Sequence, residues 1–256
     1  MSHHRPGQAL VLVGLVLFGL AARSDVREPP RPIPRLAYVV AAAQAAAAGE
    51  LDATDAYRVA LLKMKAHLDV ARALMRQGVP GAHYHLREPL REAYKELASE
   101  LEQRNATLTR DIVEQLASAA EGGSDLLILS ALETASTAIE NSLVRTGRMN
   151  TRSMLEISRA LFRDAVEQYR QAVSEHTVVD THKYQNGAGY VAVADAVTRR
   201  VRGSAGDSGT YQQLRKAVAL LREAWPAVIA PAIANGPDTV AAWLADVESA
   251  LDALDG

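Results

Sequence analysis

Five histidines lie beyond the first 22 residues, His67, His83, His85, His176 and His182, and the chain has no cysteine to compete with them as ligands. Any metal chemistry must then use imidazole and oxygen, a donor set that suits iron, zinc or copper. The densest cluster is Gly81-Ala-His-Tyr-His-Leu-Arg-Glu-Pro89, a His-x-His step followed by His-x-x-Glu. It places His83, His85 and Glu88 close in sequence, and near ligands lower the entropy of assembling a site. In a helix, positions 85 and 88 share a face; in an extended segment, 83 and 85 do. The same residues also fit a loop leading into a helix, with histidines that hydrogen-bond the backbone.

His67 completes a metal set of four candidates. It falls on the stripe Ala60, Met64, His67, Ala71, Leu74, spaced 4, 3, 4, 3, so its ring is expected to point into the protein. There it is either a core histidine bonded to a neighbouring helix or a ligand. Its helix continues about ten residues further, roughly 15 Å at 1.5 Å each, so it meets the 83–88 cluster only if the segment between folds back. Asp180, His182, Tyr184 and Tyr190 form a second polar and aromatic group at the start of a later helix. Gly187 and Gly189 weaken that helix's first turns, and without a preceding strand or a following Lys-Ser/Thr they are no phosphate loop. No serine elbow, His-Glu-x-x-His or glycine-rich cofactor loop is present, so no enzyme activity is expected.

The elements that would carry these residues read as helices. Aromatic residues make up 5% of the chain and alanine is abundant, a composition that favours helix over sheet. Tyr57 to Met75 forms an amphipathic stripe ended by Gly78 and Pro80; further helices are expected from Pro89, from Thr107 or Thr109 to Gly122, and from Ser124 to about Leu143. After the polar break Arg145 to Asn150, helices are expected from Ser153, from about Lys183 to Arg202, from Thr210 to Trp225, and from Asp238 to Leu254. Short connections between long helices imply antiparallel neighbours. The fold class is all-α, an antiparallel up-down bundle or two packed four-helix bundles, with halves at residues 38–148 and 149–256.

Residues 1–22 combine Arg5 with the apolar run Ala9 to Ala22 and read as a secretory signal peptide. As a helix that run would span about 21 Å, short of the roughly 30 Å hydrocarbon core. Residues 23–37 are a proline-rich linker containing Pro29, Pro30, Pro32 and Pro34. The expected location is periplasmic or secreted, with no stable membrane span after cleavage. Lys and Arg total 28 against 30 Asp and Glu, a net charge of -2, so no nucleic acid is expected as partner. Without cysteine, disulfides, thiolate sites and iron–sulfur clusters are excluded.

The stretch His67-Leu-Asp-Val-Ala-Arg-Ala-Leu-Met-Arg-Gln-Gly78, with Ala82-His-Tyr-His85 and Glu92-Ala-Tyr94, resembles bacterial periplasmic helical proteins. Tyr169-Arg-Gln-Ala-Val173, Lys183-Tyr-Gln185 and Gly189-Tyr-Val191 do so too. The whole is similar to imelysin-like and EfeO-type bundles and to helical domains attached to iron permeases. That resemblance implies paired four-helix bundles, a role near iron acquisition, and a His-x-x-Glu metal element carried by His85 and Glu88. The chain departs from the imelysin-like pattern in having Gly81 four residues before His85 rather than two. The expected function is a periplasmic protein binding iron, zinc or copper in metal uptake, with His85 and Glu88 as ligands and His83 and His67 as helpers. The alternative is a non-catalytic scaffold for a periplasmic protein partner.

Overall fold

The computed structural model describes residues 51–205 and 209–255. The signal peptide and proline-rich linker expected at 1–37 lie outside these residues. Among the described residues the chain is all-α apart from one two-stranded hairpin. Its helices are α1 (Ala53–Arg76), α2 (Ala82–Leu86), α3 (Glu88–Gln103), α4 (Arg110–Gly122), α5 (Asp125–Arg145), α6 (Thr151–Ala172), α7 (Thr181–Ala205), α8 (Gly209–Leu221) and α9 (Pro237–Asp255). No described helix is long and apolar enough to cross a membrane.

Caps define the ends as polar side chains permit. Asp52 accepts from the Asp55 amide, Thr109 from Ile112 and Asn150 from Ser153, each satisfying a first-turn N–H that has no intrahelical partner. Asn150 thus opens α6 at Thr151, two residues before the start expected at Ser153. Pro226 and Pro231 leave residues 225–236 without helix, because proline lacks the N–H that the next turn needs. The expected helix through Trp225 therefore stops at Leu221, and a single 3-10 turn, Arg222–Ala224, follows it.

Helix α1 is buried on both sides. Tyr57, Leu61, Met64, Leu68 and Leu74 enter a core shared with α2 to α5. Val59, Leu62 and Ala66 enter a second core built mainly from α6 to α9. Helices α6 and α7 run antiparallel, joined by the hairpin of β1 (Val173–Ser174) and β2 (Thr177–Val178), which pairs Val173 with Val178. At the other end, buried Arg58 donates to Asp55 and to the Thr146 side chain and carbonyl, tying the start of α1 to the end of α5.

Asp195, 4% exposed, holds α7 to α8 and the 3-10 turn by accepting from Arg199, Arg215 and Arg222 at 2.9, 2.5 and 2.9 Å. Burial alone would raise its pKa, but the hydrogen bonds and charges of Arg199 and Arg215 outweigh burial and hold the carboxyl below its ordinary value.

Helix α7 lies between α1 and α6 at van der Waals range, and two glycines allow this. A Cβ on Gly187 would stand 2.8 Å from the Trp225 ring and 3.0 Å from the Ala165 carbonyl of α6. One on Gly189 would stand 2.9 Å from Val70 and 3.1 Å from the Ala66 carbonyl of α1. Residues two apart face opposite sides of a helix, so the pair serves both neighbours. The weakening expected of these glycines is offset by packing. Gly→Ala inside a helix ordinarily gains about 1 kcal/mol of propensity. At Gly189 the overpacking cost of about 1–3 kcal/mol should reverse the sign, and urea denaturation should show Gly189→Ala to be less stable than wild type.

Candidate metal site at the α1, α2 and α7 junction

The turn from α1 into α2 decides which histidines meet. Gly81 has φ +113, a conformation that L side chains rarely adopt, and the chain there reverses so that α2 lies against α1. The fold-back that the sequence left as a condition is therefore present. His67 Nδ1 lies 3.3 Å from His85 Nδ1, and both rings are buried, at 7% and 0% exposure.

Helix α7 supplies the outer partners. Gln185 Oε1 faces His85 Nε2 at 3.0 Å, and the Tyr190 hydroxyl lies 3.4 Å from His67 Nε2. Gln185 and Tyr190 are themselves buried, and Lys63 sits 5.8 Å over the Tyr190 ring. A neutral imidazole has one N–H and one acceptor nitrogen, so a single assignment satisfies the whole chain. Tyr190 O–H donates to His67 Nε2, His67 Nδ1–H to His85 Nδ1, and His85 Nε2–H to Gln185. On the outer side, Tyr84 stacks on His182 with ring centroids 3.8 Å apart. Both of these rings are exposed, and each meets the His85 ring edge to face.

Burial fixes the charge of the pair. Desolvation, with the neighbouring His85 and Lys63, lowers the His67 pKa to about 3. Desolvation also lowers His85 to about 4, against the Gln185 hydrogen bond, which acts the other way. Both rings are neutral at pH 7 and each retains an unprotonated nitrogen, the form that binds metal.

One expected ligand, His83, faces away from this pair. Because 82–86 is helical, His83 and His85 point in opposite senses; His83 is exposed and its Nδ1 donates to the Ala120 carbonyl at 2.6 Å. The His-x-x-Glu element is split, since Arg87 (φ -110, ψ -101) separates α2 from α3. His85 and Glu88 therefore lie on successive helices; the Glu88 side chain is outside the described part. Among the described residues no group of three or more His, Cys, Asp or Glu could hold a metal ion. His176 donates to the Ala234 carbonyl beside the hairpin, and Tyr184 reaches the Ala224 and Ala227 carbonyls.

Gln185 was visible only within the resemblance. Its signal was available in the spacing of His182, Gln185 and Gly189, 3 and 4 apart, which places polar residues on the helix face that glycine presses against α1.

Residues 146–255, from the loop before α6 through α9, match a family model described as the iron permease-associated 4-helix bundle domain. The match includes the four helices of the second half and less than half of the chain. It supports the iron-permease part of the resemblance and a link to iron uptake. No curated protein and no solved structure matches the chain. Gln185 and Tyr190 lie inside the matched segment, and His67 and His85 lie before it.

The neutral histidine pair makes stability pH-dependent. A group whose folded pKa is lowered contributes stability that is present above its unfolded value, about 6.5 for His, and is lost as pH falls toward the folded value. Each ring should add a slope approaching about 1.4 kcal/mol per pH unit between roughly pH 6 and pH 4. Denaturation midpoints over that range should fall more steeply for wild type than for a His67→Leu/His85→Leu chain, and NMR should show no His67 protonation at pH 5.5.

Proposed function

We propose that this protein binds a transition-metal ion through His67 and His85 and acts in iron uptake from an extracytoplasmic space. The 3.3 Å separation of the two Nδ1 atoms carries the reading. Two nitrogens bound at about 2.05 Å to one tetrahedral ion stand about 3.3 Å apart. With a metal between them, both rings carry their proton on Nε2: His85 still donates to Gln185, and His67 now donates to the Tyr190 oxygen. The outer partners thus suit both the empty and the loaded pair, and such partners fix ring orientation in metal sites. The donor types admit iron, zinc or copper, with water or a carboxylate such as Glu88 completing the coordination.

A scaffold role is the second reading. Leu126, Leu127 and Leu129 at the start of α5 are 77%, 60% and 40% exposed, and contiguous exposed apolar residues favour an interaction surface.

The test is calorimetric titration with ferrous and ferric iron, zinc and copper. One equivalent should bind to wild type, be lost in His67→Leu and in His85→Leu, and persist in His83→Ala. Since both imidazoles are already neutral, heats at pH 7 should not depend on the buffer's ionisation enthalpy. Binding unchanged in both leucine variants would return the pair to a structural role, and the absence of any binding would favour the scaffold.

A further inference from the structure

On another side of α1 and α7, away from the histidine pair, runs a groove of about 1230 Å³. It lies between α1, the end of α5, α7 and residues 225–228, and exceeds the roughly 300–1,000 Å³ of ordinary small-molecule pockets. Much of its wall is apolar. Met154 and Val197 are buried beneath it, while Val144, Ala192 and Ala196 line it exposed to solvent, Val144 at 75%. Methionine adapts to varied apolar shapes, and exposed valine and alanine in a concavity leave apolar surface for a ligand to cover.

The charges of the groove are not balanced. Lys65 is paired with Asp69 and Glu140, and Arg58 with Asp55. Arg222 shares Asp195 with Arg199 and Arg215, so three guanidiniums divide one carboxylate. Arg148 and Arg200 also line the groove, and no described carboxylate pairs with either. Guanidinium favours bidentate carboxylate and phosphate.

We propose that this groove binds a single-chain amphipathic anion, its apolar chain along Val144, Met154 and Ala192 and its carboxylate or phosphate against Arg148, Arg200 and Arg222. Charge complementarity with an apolar trough selects this class over neutral lipids, which leave the cations unmatched, and over small hydrophilic anions, which leave the trough uncovered. The site does not depend on the histidine pair, and either can exist without the other.

The test uses the full-length chain with Trp243→Phe, so that Trp225, which lines the groove, is the only indole. Laurate and dodecyl phosphate, below their micellar range, should each change its fluorescence saturably at one equivalent. 1-Dodecanol should bind at least tenfold more weakly. Arg148→Gln and Arg200→Gln should each weaken laurate about fivefold to tenfold. Ala192→Glu, at an exposed position, should abolish binding with an unchanged circular dichroism spectrum. Equal binding of dodecanol, no saturable response to either anion, or full binding to Ala192→Glu would overturn the proposal. A response confined to vesicles of anionic phospholipid would overturn it too, by assigning the arginines to a bilayer surface.

Discussion

Helix α7 presents only a hydrogen at Gly189, where it presses on Ala66 and Val70 of α1, and on that contact depend the two-sided burial of α1 and the positions of the residues around it. With hydrogen alone at Gly189, the helix backbone comes close to the Ala66 carbonyl and Val70. The next residue on each helix, His67 and Tyr190, is then carried into a space too narrow for solvent. Gly187 does the same on the opposite side, where Trp225 closes over it and donates to the Tyr184 carbonyl. Helix propensity alone disfavours a Gly-Ala-Gly sequence near the start of a long helix. Tertiary packing overrides that preference, because a Cβ at either position would meet its neighbours at 2.8–2.9 Å, closer than side chains pack.

Desolvation at that contact has a chemical consequence. A charged imidazole in such a place would lose its hydration with no carboxylate among its described hydrogen-bond partners, so the rings are held neutral. Neutral rings can satisfy one another only in a directional chain, which Tyr190 and Gln185 terminate from α7. The arrangement therefore joins parts of the chain 100 and 123 residues apart through polar atoms inside an apolar core. A fully satisfied buried network of this kind rigidifies its surroundings, while a half-satisfied one costs stability. Removal of one ring leaves the other with an unmatched buried nitrogen, so the members act as a unit.

Much of the fold was legible because amphipathic helices write their spacing into the sequence. The stripe of α1 places Met64, Ala71 and Leu74 in the core that the structure buries, and the Arg145 to Asn150 break falls between α5 and α6. His67 was correctly placed on an inward face. Helix α2 was not legible, since five residues are too few to show a period, and Arg87 interrupts the helix in the middle of the His-x-x-Glu spacing. Local spacing therefore overstated the partnership of His85 with His83 and understated its partnership with His67. The turn at Gly81 sets that outcome, and a positive φ leaves only a glycine in the sequence as its trace. The two glycines of α7 were visible, but what they admit is another helix, a long-range fact that no local pattern contains.

The histidine pair sits where the segment similar to the iron permease-associated bundle meets the helices that precede it. His67 and His85 come from α1 and α2, Gln185 and Tyr190 from α7. A ligand that binds the folded protein and not the unfolded chain stabilises every element needed to build its site. One held by this pair would therefore strengthen the attachment of α1 and α2 to α7, and so of the first core to the second. The outer partners give that coupling a direction. A ligand between the Nδ1 atoms would turn His67 from acceptor to donor toward Tyr190, and the hydroxyl would have to reorient in response. Tyr190 lies within the second core, so occupancy of the proposed site would be felt at a hydroxyl of the second half.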